Sequence, residues 1–495
     1  MDNSKAIAVN NFKGGYCGNL PISNLQLDQA ADLDNIVILP NGQGFRSRLG
    51  NSKLNSSVLN SGNPIQGMGI LLQANQTLFL VAIAGAKVYK SSNISSTFTD
   101  ITGSYSAITA SGTARWDLFT FLDSIVGFGG QRAAPDAPIT WTGSGNIAAL
   151  GGTAPQAYGG LAANNRVFVF NTTANPSTMY WSIIGDADDF SGSGSGSAVV
   201  GSVSDNQMIT GATVISTNYM LVFKQNSTYQ MIISSAPFPV YSLFSTVGCV
   251  GKHAIVNVEG IVYFINAQGD MVSTDGELLT TYDKNADDLF GAINVSNLYL
   301  TEGVRQKGVD YDWIVWIFYN DGATPKCIIW DLINKCWLRC NTGYKMYTTL
   351  RGLNNAVYLG SSDGWIYLPD QSGIYADASE TSPGTIAAYW RSGWINPQVQ
   401  NEIVQVRKVL ATYKTKASGS ITFNYGFDFN LDSASATFSQ VATGSELYTS
   451  RLNLITGRGN FFNFKIGLSS STIDMNLQSL TLRGKVYGQK RISAA

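Results

Sequence analysis

The stretch NRVFVFNTTANPSTMYWS, Asn165–Ser182, decides how this chain is read. An apolar run, Val167–Phe170, enters a small polar turn and is followed by a second strand ending in Tyr180 and Trp181. Branched and aromatic residues at this density favour extended backbone, and the polar, Pro-containing centre reverses it. The same form returns at Gln76–Lys90, Leu118–Thr142, Asn218–Met231, Gly260–Thr274, Asp312–Leu332 and Asn355–Leu368. With Tyr89, Trp141, Trp181, Tyr229, Val272, Trp330 and Tyr367 as markers, the spacings are 52, 40, 48, 43, 58 and 37 residues. A period of about 40–50 residues is what the blades of a β-propeller leave in a sequence. A single blade cannot bury both of its faces, so blades must pack around an axis. The chain is therefore expected to be all-β, with a β-propeller of six or seven blades over residues 61–380.

The two ends differ from this centre. Residues 1–60 read as an N-terminal arm that packs on the propeller or on a neighbour. Within it Asp28–Asp34 suggests a helical turn, Asn35–Pro40 a short strand, and Asn41–Gly44 a turn. Residues 381–495 begin at Pro383 and Gly384. They carry strand patterns at Ile403–Lys414, Ile421–Phe429, Glu446–Ile455, Phe461–Leu468 and Leu477–Tyr487, the pattern of a C-terminal β-sandwich. One helix is expected at Tyr282–Ile293, with Asp283, Asp287 and Asp288 near its start. The Ser/Gly tract Ser191–Ala198 reads as a loop.

Composition narrows the class. Charged residues make up 13% of the 495, and the net charge is −1. About 25% charged is usual, so Ser, Thr, Asn, Gln and Gly must supply the polar surface. No basic excess draws the chain to nucleic acid. The small basic clusters, Arg46 with Arg48, Arg407 with Lys408, and Lys485–Arg491, read as solvated surface charge. Five scattered cysteines, Cys17, Cys249, Cys327, Cys336 and Cys340, make no disulfide framework and read as small buried thiols of a chain folded in a reducing compartment. The C-x3-C spacing of Cys336 and Cys340 lacks the second ligand pair that zinc needs. Neither a secretory leader nor a run of about 20 apolar residues is visible. Work outside a cell would then need another route, such as release by lysis within a particle.

Chemistry is sparse. The single histidine, His253, is the one imidazole on which a Ser-His-Asp or Cys-His site would have to rest. Cys249 precedes it by four residues, a useful spacing on a helix but not on the strand expected here. Paired carboxylates of a glycosidase would come from Asp186, Asp188 and Asp189, or from Asp310 and Asp312. The first group reads better as a loop whose Asp side chains cap its own amides. Ser362-Asp363-Gly364-Trp365 and Thr274-Asp275-Gly276-Glu277 lack the spacing of sialidase repeats and read as Asp-Gly hairpin turns. No phosphate loop is present. No catalytic, cofactor-binding or metal-ligating residue is therefore expected, and the chain is not expected to be an enzyme.

Several segments in order resemble a known family: Gly44-Phe45-Arg46-Ser47-Arg48-Leu49-Gly50, Asn165-Arg166-Val167-Phe168-Val169 with Tyr180-Trp181-Ser182 and Gly185-Asp186, Gly260-Ile261-Val262-Tyr263-Phe264, Tyr358–Gly364, Phe423-Asn424-Tyr425-Gly426 and Leu480-Thr481-Leu482-Arg483-Gly484. In order and turn type the chain resembles the tail-nozzle, or packaged-DNA stabilization (head-to-tail stopper), proteins of short-tailed bacteriophages. The resemblance implies a structural virion protein in the tail, made in the host cytoplasm. It implies a ring of copies, a hexamer, below the portal and its adaptor. Such a ring extends the DNA channel, helps retain packaged DNA without sequence-specific contacts, and docks tail fibres or spikes. The alternative is a receptor- or glycan-binding propeller, a tail adhesin.

Overall fold

The computed structural model describes residues 4–282, 293–319, 326–340, 346–372, 374, 376–378, 384–395, 402–415, 419–440, 447–453, 457–470 and 475–488. The strand Arg166–Thr172 shows why its apolar run has no polar side. Phe168 and Phe170 point to one side, into a core shared with Met220 and Val222. Val167 and Val169 point to the other, against Val126 and Phe128. Successive side chains of a strand alternate between faces, so a sheet standing between two others reads as a continuous apolar run.

Each repeat is one four-stranded antiparallel blade. Blade 1 is Ile65–Leu72, Leu78–Ala84, Lys87–Ser92 and Thr99–Asp100, and blade 2 is Arg115–Phe121, Ser124–Gln131, Ile139–Trp141 and Ala148–Ala149, with Ala134–Pro135 as a short addition. Blade 3 is Ala157–Ala163, Arg166–Thr172, Thr178–Trp181 and Gly196–Val199. Blade 4 is Ile209–Val214, Tyr219–Lys224, Thr228–Ile232 and Val240–Phe244. Blade 5 is Ile255–Val258, Ile261–Ile265, Met271–Thr274 and Leu279–Thr281, and blade 6 is Glu302–Lys307, Asp312–Phe318, Lys326–Asp331 and Cys336–Arg339. Blade 7 takes Met346–Arg351, Val357–Ser361 and Ile366–Leu368 from its own repeat and its outer strand, Ser52–Lys53, from the other end of the chain. The seven innermost strands touch in sequence, and Met346–Arg351 returns to Ile65–Leu72. The circle is closed: the fold is a seven-bladed β-propeller. All seven marker residues lie on the third strand of their blades.

Blade 2 packs on blade 1 through a close approach. A Cβ on Gly67 or Gly69 would lie 2.7 or 2.6 Å from the Cβ of Trp116 or Leu118. Bare backbone there admits the fully buried Trp116. The expected turns hold, with positive φ at Gly85, Gly269 and Gly364.

The rest of the chain builds a second body, and here the arm is corrected. Residues 4–47 contribute strands to it and are not an appendage. Ser4–Val9 pairs with Met475–Gly488, which also pairs with Phe45–Ser47 and Glu402–Thr415; Ile36–Ile38 and Leu447–Asn453 complete that sheet. The second sheet contains Gly15–Tyr16, Gln29–Asp34, Gly384–Ser392, Phe462–Ser470, Gly419–Phe427 and Asn430–Gln440, and it continues directly from the outer strand of blade 6 through the pair Tyr16–Trp337. Phe12 joins the two sheets, edge-on to Phe45 at 5.1 Å and to Trp390 at 5.3 Å. Asp28–Asp34 is not a helical turn: Gln29–Asp34 is a strand, with Ala30 and Leu33 buried beneath its neighbours. Arg46 and Arg48 are not solvated. Both are buried, Arg48 donating to Asp377 at 2.8 Å and to Asn35 at 2.9 Å, where they pin this hairpin to the chain. The end of the Ser/Gly tract also orders, as the outer strand Gly196–Val199 of blade 3. The helix expected at Tyr282–Ile293 falls almost wholly outside the described residues. Among the described residues no helix is long and apolar enough to cross a membrane.

Candidate functional site: an ion-pair cluster on the propeller axis

The innermost strands of the blades are largely apolar, yet several carry a charge. Arg115 and Asp117 share one face of Arg115–Phe121, because Trp116 and Leu118 take the other toward blade 1. Glu302 begins the inner strand of blade 6, and Lys252 and His253 sit on the turn that enters blade 5. Propeller closure brings these five side chains together.

His253 is held at both ring nitrogens, Nδ1 2.7 Å from Glu302 Oε1 and Nε2 2.7 Å from Asp117 Oδ1. Arg115 Nε donates to the same Glu302 oxygen at 3.1 Å. Glu302 Oε2 accepts from the Thr349 amide of blade 7 at 3.2 Å. Lys252 Nζ lies 3.2 Å from Asp117 Oδ2 and donates to the carbonyls of Arg115 at 3.1 Å and Tyr158 at 2.6 Å. The Gly160 amide of blade 3 donates to Asp117 at 3.0 Å. Blades 2, 3, 5, 6 and 7 are thus tied across the axis. Three cations face two carboxylates, and two of the cations also lie over aromatic rings, Arg115 3.8 Å from the Tyr347 centroid and Lys252 4.3 Å from that of Tyr158. The ring quadrupole helps hold the surplus positive charge.

Burial alone would discharge His253. The Glu302 and Asp117 carboxylates outweigh it and raise the ring to about 9. Burial likewise works against the Asp117 carboxylate, but Lys252 and His253 overcome it and hold Asp117 below its usual range. Lys252 is lowered, burial exceeding the help from Asp117 and Glu302. A charged imidazole donating through both nitrogens has no lone pair with which to take a proton at neutral pH. Cys249 offers no partner chemistry: its thiol donates to the carbonyls of Gly251 and Ala254, and burial pushes it up to about 12. Two cavities border the cluster. One of about 300 Å³ is walled by His253, Glu302, Arg305 and Arg351, and one of about 220 Å³ by Asp117, His253, Met68 and Leu161.

The other residues singled out above remain apart. Asp186 accepts from the Asp188 amide at 3.1 Å, and Asp189 caps the Ser191 and Gly192 amides at 2.9 and 2.8 Å, the self-capping loop expected of them. Asp310 turns to Arg46, 3.5 Å away, while Asp312 is gripped by Arg305 at 2.9 and 2.6 Å. They do not converge on a common point between them. Ser361 Oγ accepts from the Trp365 amide at 2.9 Å, and Asp275 caps the Glu277 and Leu278 amides, so both Asp-Gly segments act as turns. No cluster of three or more His, Cys, Asp or Glu suited to a metal ion occurs among the described residues. Sequence patterns do not single out Arg115, Asp117, Lys252 and Glu302. The available signal was a charge embedded in an inner-strand segment, as in Arg115-Trp116-Asp117, of a chain so poor in charge.

No protein-family model matches the chain, and no curated protein matches it in sequence. Among solved structures, YCF48 from Cyanidioschyzon merolae is similar at 8% identity and a TM-score of 0.41, over 65% of this chain and 98% of that one. The WD40 β-propeller domain of Doa1 is similar at 11% identity and 0.38, over 66% and 98%. The N-terminal domain of Nup159 is similar at 10% and 0.39, over 66% and 96%. These are likenesses of architecture alone.

Proposed function

We propose that this chain is a non-catalytic structural subunit of a short-tailed phage virion, the tail-nozzle role that its sequence resembles. Copies form a ring, a hexamer, on the tail axis, between the adaptor below the portal and the fibres or spikes. DNA passes through the lumen of that ring, not along the propeller axis, which Arg115, Asp117, Lys252, His253 and Glu302 occupy. The observation that carries this reading is the sheet shared by blade 6 and the second body. The pair Tyr16–Trp337, with the Asn35 amide donating to the Arg339 carbonyl at 3.1 Å beside it, ties the two parts into one sheet, as suits a subunit that transmits load between partners. The near-neutral, charge-poor chain supports the same reading, because many phosphate contacts would hold the duplex back. Nine of the ten tryptophans are buried, which disfavours a glycan-binding surface built on exposed Trp.

Electron microscopy of purified particles tests the proposal. The expected result is a ring of this chain on the tail axis, cross-linked to a portal-proximal protein. Density confined to peripheral fibres, or a chain absent from particles, rejects it.

A further inference from the structure

Two cysteines of blade 6 face each other across its outer strands. Ile328 pairs with Arg339 in the antiparallel ladder, so one step further along Cys327 stands opposite Cys340. The Cys340 amide donates to the Cys327 carbonyl at 3.2 Å. Opposed residues of such a hydrogen-bonded pair have Cα atoms about 5.5 Å apart, inside the span of about 4.4–6.8 Å that a disulfide bridges, and Cβ atoms about 5.5 Å apart, which must close by about 1 Å to reach the roughly 4.5 Å that the bond allows. Both side chains are buried and line a small cavity of about 30 Å³ with Trp313, Val315 and Ile329. The Cys340 thiol beside it, with burial, holds the Cys327 thiol well above its usual range. The Cys340 thiol also reaches Asn35 Oδ1 at 3.4 Å, a contact the bond would replace. The remaining cysteines lie elsewhere: Cys336 is opposite Asp331, the Cys17 thiol reaches Asn19 at 3.4 Å, and Cys249 reaches nearby carbonyls. All five are unbridged.

We propose that Cys327 and Cys340 form a disulfide site, reduced as the chain folds and closed across the ladder once the protein meets a small-molecule disulfide outside a reducing compartment. One cysteine loses its proton to solvent, and its sulfur attacks the small disulfide. The S–S bond of that molecule breaks and one small thiol leaves. The second cysteine, deprotonated in turn, attacks the mixed disulfide and displaces the other half as a second thiol. Both cysteines are oxidised, and the small disulfide is reduced to two thiols. Both thiols are buried in the folded chain, and buried thiols react slowly, so the bond closes only over a long exposure, as the outer strands of blade 6 open. The bond would staple Cys336–Arg339 to Lys326–Asp331. The first of these strands carries Trp337, the partner of Tyr16, at the seam where blade 6 passes into the second body. This inference stands on the ladder geometry and is independent of the phage role.

The test incubates the folded full-length chain with oxidised glutathione, then denatures it, alkylates free thiols and maps peptides by mass spectrometry. The expected product has lost two hydrogens, alkylates at three cysteines, and contains a peptide linking Cys327 to Cys340 that dithiothreitol reverses. Its thermal midpoint lies above that of the reduced chain. Cys327→Ser and Cys340→Ser each abolish the link, and Cys336→Ser leaves it. Five alkylatable cysteines after exhaustive incubation, a link between other cysteines, or a lasting glutathione adduct on Cys327 or Cys340 would overturn the proposal.

Discussion

The propeller and the second body are both built from antiparallel strands, but they assemble over different distances along the chain. Within a blade, partners are close in sequence: Phe168 pairs with Trp181, and Val262 with Thr274. In the second body Ala6 pairs with Arg483 and Leu33 with Trp390. Local hairpins form with little loss of loop entropy, whereas these pairings must close loops of hundreds of residues. Polar interactions are shared: a buried ion pair holds each part, Arg115–Glu302 on the propeller axis and Arg48–Asp377 in the second body, where Phe12, Phe45, Trp390 and Phe464 add aromatic packing.

The contrast is broken most forcefully by removing residues 1–47. This takes strands from both sheets of the second body and leaves every propeller strand in place. Calorimetry is expected to lose the transition of the second body and to keep that of the propeller. Survival of both transitions would show that the N-terminal strands are dispensable. Glu302→Ala acts on the other side of the comparison. It leaves Arg115 buried and His253 half-buried beside a missing carboxylate and is expected to cost about 3–5 kcal/mol in denaturant unfolding of the propeller. The exposed pair Lys87–Asp100, 2.8 Å apart, is the control, where Asp100→Ala should leave the unfolding midpoint nearly unchanged.

A smaller effect comes from the protonation of His253. Its folded value of about 9 lies above the unfolded value near 6.5. The charged ring therefore stabilises the fold fully below pH 6.5, and that contribution, on the order of 3 kcal/mol, fades as pH rises through about 9. Unfolding midpoints measured from pH 6 to 10 are expected to fall for the wild type and to fall less for His253→Gln. Identical slopes would mean that the ring is not charged by its two carboxylates.

What could be read directly were the units that close on themselves. Val167–Phe170 is apolar on both faces because a blade lies on each side, and turns such as Ala84–Gly85 reverse the chain within a few residues. Strands at 402–415, 419–427 and 462–470 were legible for the same reason. Ser52–Lys53, the outer strand of blade 7, was not, since two polar residues carry no periodicity. Gln29–Asp34 was misread because its polar composition resembles a helix start, while burial against Gly384–Ser392 decides its conformation.

The axial cluster marks the same boundary. Each charge is an isolated letter on its own strand, and Arg115 is far in sequence from both Lys252 and Glu302. Side-chain alternation and turn chemistry act over a few residues, so the amino-acid order alone settled the repeating hairpins and the all-β character. Ring closure settled which charges meet on the axis and that the blades number seven, and sheet pairing settled that Ser4–Val9 and Met475–Gly488 lie in one body. Those outcomes depend on contacts between remote segments, and local patterns carry no record of them.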